Sequence, residues 1–314
     1  MSVQILEKKI KNNYSFGKTT RFGVGGKVRR FYVAKSESDL IAIVKLAKTK
    51  HWPIIIVGEG TNLVVNDGLN NFFVIKSGIK GIKVIDSRTY EVGARENWTK
   101  LVALFNKQGL GGAEKMYGIP GSVGGAVVGN AGCYGQEIKD VVSGVKVFDG
   151  KKAKWLNNAQ CRFSYRSSIF KQNRVFVILK IKLHLTPADP LQLIIESRNI
   201  FRIRNNKFPE NMKCAGSYFK NIVLTDLRPS IRKKLEHKFR DKIKGNKLAT
   251  AVLVEIIGLN GARIGNVKIA NYHGNLVVNM GSGKARDALQ LAQSVKNKVK
   301  KIFNIKLEEE VRII

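Results

Sequence analysis

Gly118-Ile-Pro-Gly121-Ser-Val-Gly124-Gly125-Ala-Val-Val-Gly129-Asn-Ala-Gly132-Cys-Tyr-Gly135 is the stretch on which the fold turns. Seven of its eighteen residues are glycine. Pro120 fixes φ, and the glycines after it permit φ > 0. Backbone N–H groups in such a run can converge on a pyrophosphate. No carboxylate lies in the run, which suits an anionic guest. Its glycines alternate with apolar residues and it holds almost no Ser or Lys, unlike a flexible linker. We read it as a cofactor cradle.

Upstream, the chain reads as an α/β unit. Phe31-Tyr-Val is a short strand, and Ser36 to Asp39 has capping-box spacing, with Asp39 in the place of the usual Glu. Leu40, Ile43, Val44 and Ala47 recur at helical spacing until Pro53, and Ile54–Val57 is a buried-strand run. Val64-Val65, Phe72–Ile75 and Ile82–Ile85 read as further strands. Trp98, Leu101, Val102 and Phe105 mark a second helix, closed by Gly109. Downstream, Val142–Phe148 and Val175–Leu185 read as strands and Leu191–Arg204 as a helix. Residues 225–247 are polar and basic, and Ala251–Leu259 is an apolar helix or strand. Ala288, Ala292, Val295, Val299, Ile302 and Phe303 form the clearest helix, with Asp287 near its start and Lys298, Lys300 and Lys301 at its end, as the macrodipole prefers. The domain boundary is expected near residues 186–200.

The 314 residues include 56 Lys+Arg against 23 Asp+Glu, a formal net charge of +33. With 44% hydrophobic residues this is a globular composition, not a disordered basic tail. No apolar run reaches the ~18–20 residues of a membrane span, so no membrane insertion is expected. Met1–Lys9 has no apolar core of a secretory signal. Cys133, Cys161 and Cys214 form no C-x-x-C and leave one over, which argues for a reducing, cytoplasmic setting. His51, His184, His237 and His273 show no H-x-x-x-H spacing, and no metal is expected. The charge itself fits compositional drift, small-anion binding or nucleic acid. The lysines are scattered, however, and no stretch interleaves Arg with aromatic readers, so no specific nucleic-acid partner is expected.

Four further motifs are ambiguous when each is taken alone. Val57-Gly-Glu-Gly-Thr-Asn62 can bring backbone N–H groups to a phosphate, but Leu63 stands where a Rossmann fingerprint needs its third glycine, and an ordinary strand-end turn explains it as well. Tyr165-Arg166-Ser167-Ser168 reads as a surface arginine. Gly216-Ser217-Tyr218-Phe219-Lys220-Asn221 places a Ser after a Gly without the G-x-S-x-G pattern of a nucleophile elbow. Leu307-Glu-Glu-Glu-Val-Arg312 reads as a solvated acidic face; as one strand it would put Glu308, Glu310 and Arg312 on one side.

In order along the chain, Thr19–Gly26, VGEGTN, IPGSVGGA, YRSS, GSYFKN, HGNLVVN and LEEEVR resemble the UDP-N-acetylenolpyruvoylglucosamine reductase family, from about residue 15 to the end. The resemblance implies an α+β chain: a two-lobed vanillyl-alcohol-oxidase/PCMH-type FAD-binding module over 16–78 and 79–185, an α+β substrate domain over 200–305, and a C-terminal strand, 306–314, returning to the active site. It implies a cytoplasmic monomer that binds FAD, takes hydride from NADPH and reduces the enolpyruvyl ether of a UDP-sugar in peptidoglycan synthesis. The alternative is another FAD-dependent oxidoreductase of the same flavin fold.

By the same resemblance Ser217 matches the proton donor, Arg166 the arginine held against the substrate carboxylate, and Glu310 the glutamate at that carboxylate. Lys207, Asn221 and His273 match substrate-side positions. Gly58, Gly60, Thr61, Asn62, Pro120, Gly121, Ser122, Gly124 and Gly125 match the FAD cradle, with Arg204 and Arg312 as flavin contacts. The chain departs from the family at Ile222, where a proline is usual, and in the long basic stretch 222–250.

Overall fold

The computed structural model describes residues 3–314. They form two compact units: Met1–Tyr14, Val28–Gly60 and Asn71–Pro209 in the first, and Ser15–Lys27, Thr61–Asn70 and Glu210–Ile314 in the second. No helix among the described residues is long and apolar enough to cross a membrane.

The first unit holds two large sheets and two short two-stranded ones. One has four strands in the order Lys11–Tyr14, Lys27–Ala34, Leu69–Ser77, Ile54–Val57, the last pair parallel. The helix Glu37–Thr49 lays Leu40, Ile43, Val44 and Ala47 on its core, as the periodicity predicts. Only half of the expected capping box forms. Ser36 accepts the Asp39 N–H at 3.1 Å, but the Asp39 carboxylate does not return to Ser36. It is buried and takes the Tyr32 hydroxyl at 2.7 Å and the Lys35 N–H at 2.8 Å. Burial, then Asp39, pushes the Tyr32 hydroxyl pKa upward.

The second sheet is antiparallel: Ala153–Asn157, Val142–Phe148, Val177–His184, Thr89–Gly93, Ile82–Val84. Its central strand serves two cores because of a bulge. Lys180 pairs with Lys146 and Ile178 with Val147, so Leu179 is an extra residue. A one-residue insertion exchanges the faces of a strand. Val177 and Leu179 therefore pack in the core of the first sheet, and Ile178, Ile181 and Leu183 in that of the second. The Leu179 carbonyl, displaced from the ladder, accepts the Ala94 N–H at 3.0 Å.

The helix Pro190–Lys207 belongs to this first unit. Its buried Ser197 receives Asn106 Nδ2 at 2.7 Å and donates to the Glu114 carbonyl at 3.0 Å. The break between units thus falls at Pro209/Glu210, not within 186–200, because polar contacts of this helix are buried in the first core.

The second unit is built on a four-stranded antiparallel sheet, Cys214–Ser217, His273–Asn279, Val267–Ala270, Arg263–Ile264, with the helix Ala285–Phe303 on its core and two smaller sheets beside it. Ala288, Ala292, Val295 and Val299 are buried as expected; Ile302 is not, at 57% exposed, because it falls off the buried stripe in the last turn. Residues 225–247, read as polar and basic, contain a helix, Pro229–Phe239, held by the buried Leu235 and Phe239 and by Ile231, which packs against the same core. Two early segments join this unit, by a side-chain cap and by a backbone bond. Asp67 caps the helix Ala285–Phe303, accepting the Ala285 and Arg286 N–H groups at 3.1 and 2.9 Å. The Gly26 N–H donates to Asn66 O at 2.9 Å. Gly25 sits at φ +98, and a Cβ there would lie 1.8 Å from the Val65 carbonyl oxygen. Gly25→Ala is expected to cost at least ~2 kcal/mol of stability, since positive φ alone costs about 1–2 kcal/mol and the backbone contact adds to it; an unchanged Tm would contradict this packing.

Candidate functional site

Two glycine turns far apart in sequence meet in the first unit. A Cβ on Gly58 would stand 2.2 Å from Ser122 Oγ, so only glycine lets the turn after strand Ile54–Val57 lie against the turn 118–122. Gly60, Gly118 and Gly121 have φ of +71, +79 and +126. Ser122 caps the short helix Val123–Gly129 through the Gly125 N–H at 3.3 Å. The turn 121–124 is tied to 94–98 by Trp98 N–H to Gly121 O, Val123 N–H to Glu96 O, and Gly124 N–H to Ala94 O, all at 2.9–3.1 Å. Arg95, which no motif singled out, braces the other turn. It donates to Gly58 O at 3.0 Å and pairs with Glu59 at 2.8 Å. The one carboxylate at these turns is thereby neutralised, with Lys76 at 3.8 Å from it as well. Burial, then Arg95, lowers the Lys76 pKa, and Glu59 opposes them.

The N–H groups of Gly60, Gly121 and Ser122 donate to no acceptor among the described residues. This arrangement fits the pyrophosphate of a dinucleotide such as FAD: backbone donors, no room for side chains, and no unpaired acid. Thr61 and Asn62 continue the first turn but belong to the second unit. There Asn62 Nδ2 donates to Ala215 O at 3.0 Å, and Asn62 O accepts the Arg312 N–H at 3.1 Å.

Arg166 stands on a tight turn of the first unit, at φ +53, between Ser164 and Ser167, whose main chains exchange two bonds of 3.1 Å. Its Nη2 donates to Gly132 O at 2.8 Å, anchoring it on the end of the glycine run. Asn130 fixes that end: wholly buried, at φ +43, it donates to Ser164 O and Glu137 at 3.0 Å each. Arg204, in the helix Pro190–Lys207, keeps a buried Nε with no hydrogen-bond partner among the described residues. Cys133 lies in the field of both guanidiniums. Burial still raises its thiol pKa, against the opposite pull of Arg204 and Arg166. A half-buried pair of guanidiniums with an orphaned N–H is suited to an anionic or carbonyl-bearing guest. Lys207 ends the same helix, exposed.

Ser217 and Glu310 come together in the second unit. Gly216, at φ +83, and a register shift between Cys214 and Ser217 make the strand end in a bulge, which re-aims Ser217. The next residue ties it to the C-terminus: the Glu310 N–H donates to Tyr218 O at 2.8 Å. Phe219 bridges Glu309, and the Lys220 N–H donates to Glu308 O at 2.9 Å. Residues 308–312 are therefore not the single strand expected. The chain bends at Glu310-Val311, then Arg312–Ile313 pairs in parallel with Leu63–Val64. Two of the three glutamates are held by lysines, Glu308 by Lys220 at 2.8 Å and Glu309 by Lys296 at 2.9 Å, so the acidic face is not merely solvated. His273 opens the neighbouring strand, its Nδ1 accepting the Asn275 N–H at 3.2 Å, and Asn221 follows Lys220, half-buried. Among the described residues no group of three His, Cys, Asp or Glu is placed to hold a metal.

Residues 28–157 match the family described as FAD binding domain, and 208–314 match that described as UDP-N-acetylenolpyruvoylglucosamine reductase, C-terminal domain. A UDP-N-acetylenolpyruvoylglucosamine reductase of Solibacter usitatus is 35% identical over 295 residues, covering 94% of this chain and 93% of the relative. One of Thermosipho melanesiensis is 32% identical, covering 93% and 91%. The crystal structure of the corresponding reductase from Thermus caldophilus superposes with a TM-score of 0.74 at 26% identity, covering 97% of each chain. The fold is thus the α+β class expected, with a vanillyl-alcohol-oxidase/PCMH-type FAD-binding module. The chain is a member of the UDP-N-acetylenolpyruvoylglucosamine reductase family.

Proposed function

We propose that the protein is an FAD-dependent reductase that uses NADPH to convert UDP-N-acetyl-3-O-(1-carboxyvinyl)-glucosamine to UDP-N-acetylmuramate in peptidoglycan precursor synthesis. The observation that carries the reading is the junction of Ser217 and Glu310. A hydroxyl on a bulged strand and a carboxyl near the C-terminus are joined through one peptide, Tyr218. Family membership supports the reaction, and the Tyr218–Glu310 bond supports placing two of its three expected groups on one stretch of chain.

In this reading Gly58, Gly60, Thr61, Asn62, Pro120, Gly121, Ser122, Gly124, Gly125, Arg204 and Arg312 hold FAD. When bound it supplies hydride from NADPH to the vinyl carbon. Carbanion character then builds beside the substrate carboxylate. Ser217 donates the proton to that carbon; a hydroxyl is a weak acid, but the developing carbanion is a strong base, so a positioned O–H suffices. Arg166 stabilises the enolate charge, the role in which one donor is worth roughly 10²–10³ in rate in other enzymes. Glu310 helps only if protonated or hydrogen-bonded, since two bare carboxylates repel. Lys207, Asn221 and His273 take the rest of the substrate. Residues 16–78 and 79–185 serve the cofactor, 210–305 the substrate, and 306–314 bring Glu310. The three cysteines carry free thiols, which accords with a cytoplasmic setting, and we take the working form to be a monomer.

The purified protein is expected to be yellow and to oxidise NADPH only when the enolpyruvyl substrate is present. A protein that stays colourless after reconstitution with FAD, or that turns over an alcohol with oxygen instead, overturns the reading. Gly58→Ala places a methyl on Ser122 Oγ and displaces its cap, worth about 1 kcal/mol; weaker FAD retention on dialysis with unchanged far-UV circular dichroism is expected. Ser217→Ala is expected to leave flavin reduction by NADPH intact and to slow reoxidation by substrate by roughly 10²–10⁴. Stopped-flow traces with an unchanged oxidative half-reaction would remove Ser217 from the proton-donor role.

A further inference from the structure

Asn275 lies within the HGNLVVN motif, and neither the flavin turns nor the three expected catalytic groups account for it. It is 3% exposed. The strands Cys214–Ser217 and His273–Asn279 pair antiparallel as far as Ser217 opposite Leu276. One step further the ladder opens. The Tyr218 N–H still donates to Asn275 O at 2.9 Å, but the return bond is absent. Tyr218 O instead takes Glu310 N–H at 2.8 Å, and the Asn275 N–H turns to His273 Nδ1 at 3.2 Å. At Phe219 the side chain of Asn275 replaces the missing strand. Its Oδ1 accepts the Phe219 N–H at 2.8 Å and its Nδ2 donates to the Phe219 carbonyl at 2.8 Å. One primary amide satisfies both main-chain groups of a buried residue, which needs a donor and an acceptor on one planar group. A carboxylate keeps the acceptor and sets a charge against the Phe219 carbonyl.

The Ser217–Phe219 segment, bulged at Gly216, therefore takes its course from Asn275. Tyr218, which carries the Glu310 contact, is held in the same grip. His273 is set by it too, since its Nδ1 is occupied as an acceptor, which places the proton of the neutral ring on Nε2. We infer that Asn275 is the positioning residue of the proton-transfer step: it aims Ser217, sets the Glu310 end through Tyr218, and does not itself touch substrate. The inference rests on the reading of Ser217 as proton donor.

The test compares FAD-loaded Asn275→Asp and Asn279→Asp by stopped flow and thermal melting. Asn279 is a control on the same strand, 4% exposed, that also clamps main chain: it donates to Phe22 O at 3.0 Å and accepts from Gly281 and Gly283 at 3.0 and 2.8 Å. For N275D we expect reoxidation by the enolpyruvyl substrate to fall about 10²-fold, the cost of a misplacement near 1 Å. Reduction by NADPH stays within about twofold, and the solvent deuterium isotope effect on reoxidation rises as proton transfer becomes limiting. N279D should lower Tm without separating the half-reactions. Equal change of both half-reactions in N275D, or the same split in N279D, overturns the inference. If N275D cannot be recovered folded, Asn275→Ser carries the same test. Failure of both variants to fold assigns Asn275 to global stability and also overturns it. S217A run in parallel separates the two ideas: an unchanged reoxidation there sinks the proton-donor reading, whereas slowed S217A with unslowed N275D sinks only the role of Asn275.

Discussion

The main chain from Gly216 to Lys220 has partners on both sides and belongs fully to neither ladder, and much of the second unit follows from that. Buried N–H and carbonyl groups must be paired. Here one side is paired by Asn275 and the other by residues 308–310. The C-terminus must therefore run beside Phe219, and it goes on to pair with Leu63–Val64. Asn62 completes the enclosure by holding both Ala215 and Arg312. A segment so placed can present a side chain out of a bulge while its backbone stays rigid. The proposed proton donor needs this, because loops without such pairing open locally at little cost.

The first unit solves a different problem, the approach of main chain to main chain. The contact of Gly58 with Ser122 and the ties from 121–124 to 94–98 bring backbone donors together without side chains between them. Arg95 neutralises the one acid in the turn. The bulge at Leu179 lets a single strand feed two cores, so both sheets gain apolar burial from one element.

The excess of cations is disposed in two ways. Some lysines meet the few carboxylates. Burial alone would raise the Glu37 pKa, yet Lys146 and Lys180, at 2.8 and 3.2 Å, hold it below the ordinary value. Others stand in solvent, as along the helix Pro229–Phe239, where Lys233, Lys234 and Lys238 are exposed above Leu235 and Phe239. A net charge of +33 is therefore mostly a property of the surface and not of a site.

The amino-acid sequence by itself determined the elements with a strong period and the turns with a strict steric need. The helices at Leu40–Ala47 and Trp98–Phe105 follow from apolar spacing, and the turns at Gly58–Gly60 and Gly118–Gly125 follow from glycine and proline chemistry. Those signals are local, set by residues within a few positions of one another. The helix Pro229–Phe239 stood out little because its apolar stripe is only Ile231, Leu235 and Phe239, set in a stretch dominated by Lys and Arg. The bend at Glu310 was not legible either, since it is imposed by Phe219 and by Leu63–Val64 from distant parts of the chain. Arg95 and Asn275 carried no signal as single residues; each is defined by the backbone groups it satisfies. Which residues lie near Ser217, and which way it is aimed, was decided only by the tertiary structure. A hydrogen bond to a main-chain group leaves no pattern in the residue that receives it, because every residue but proline offers the same N–H and every residue the same carbonyl.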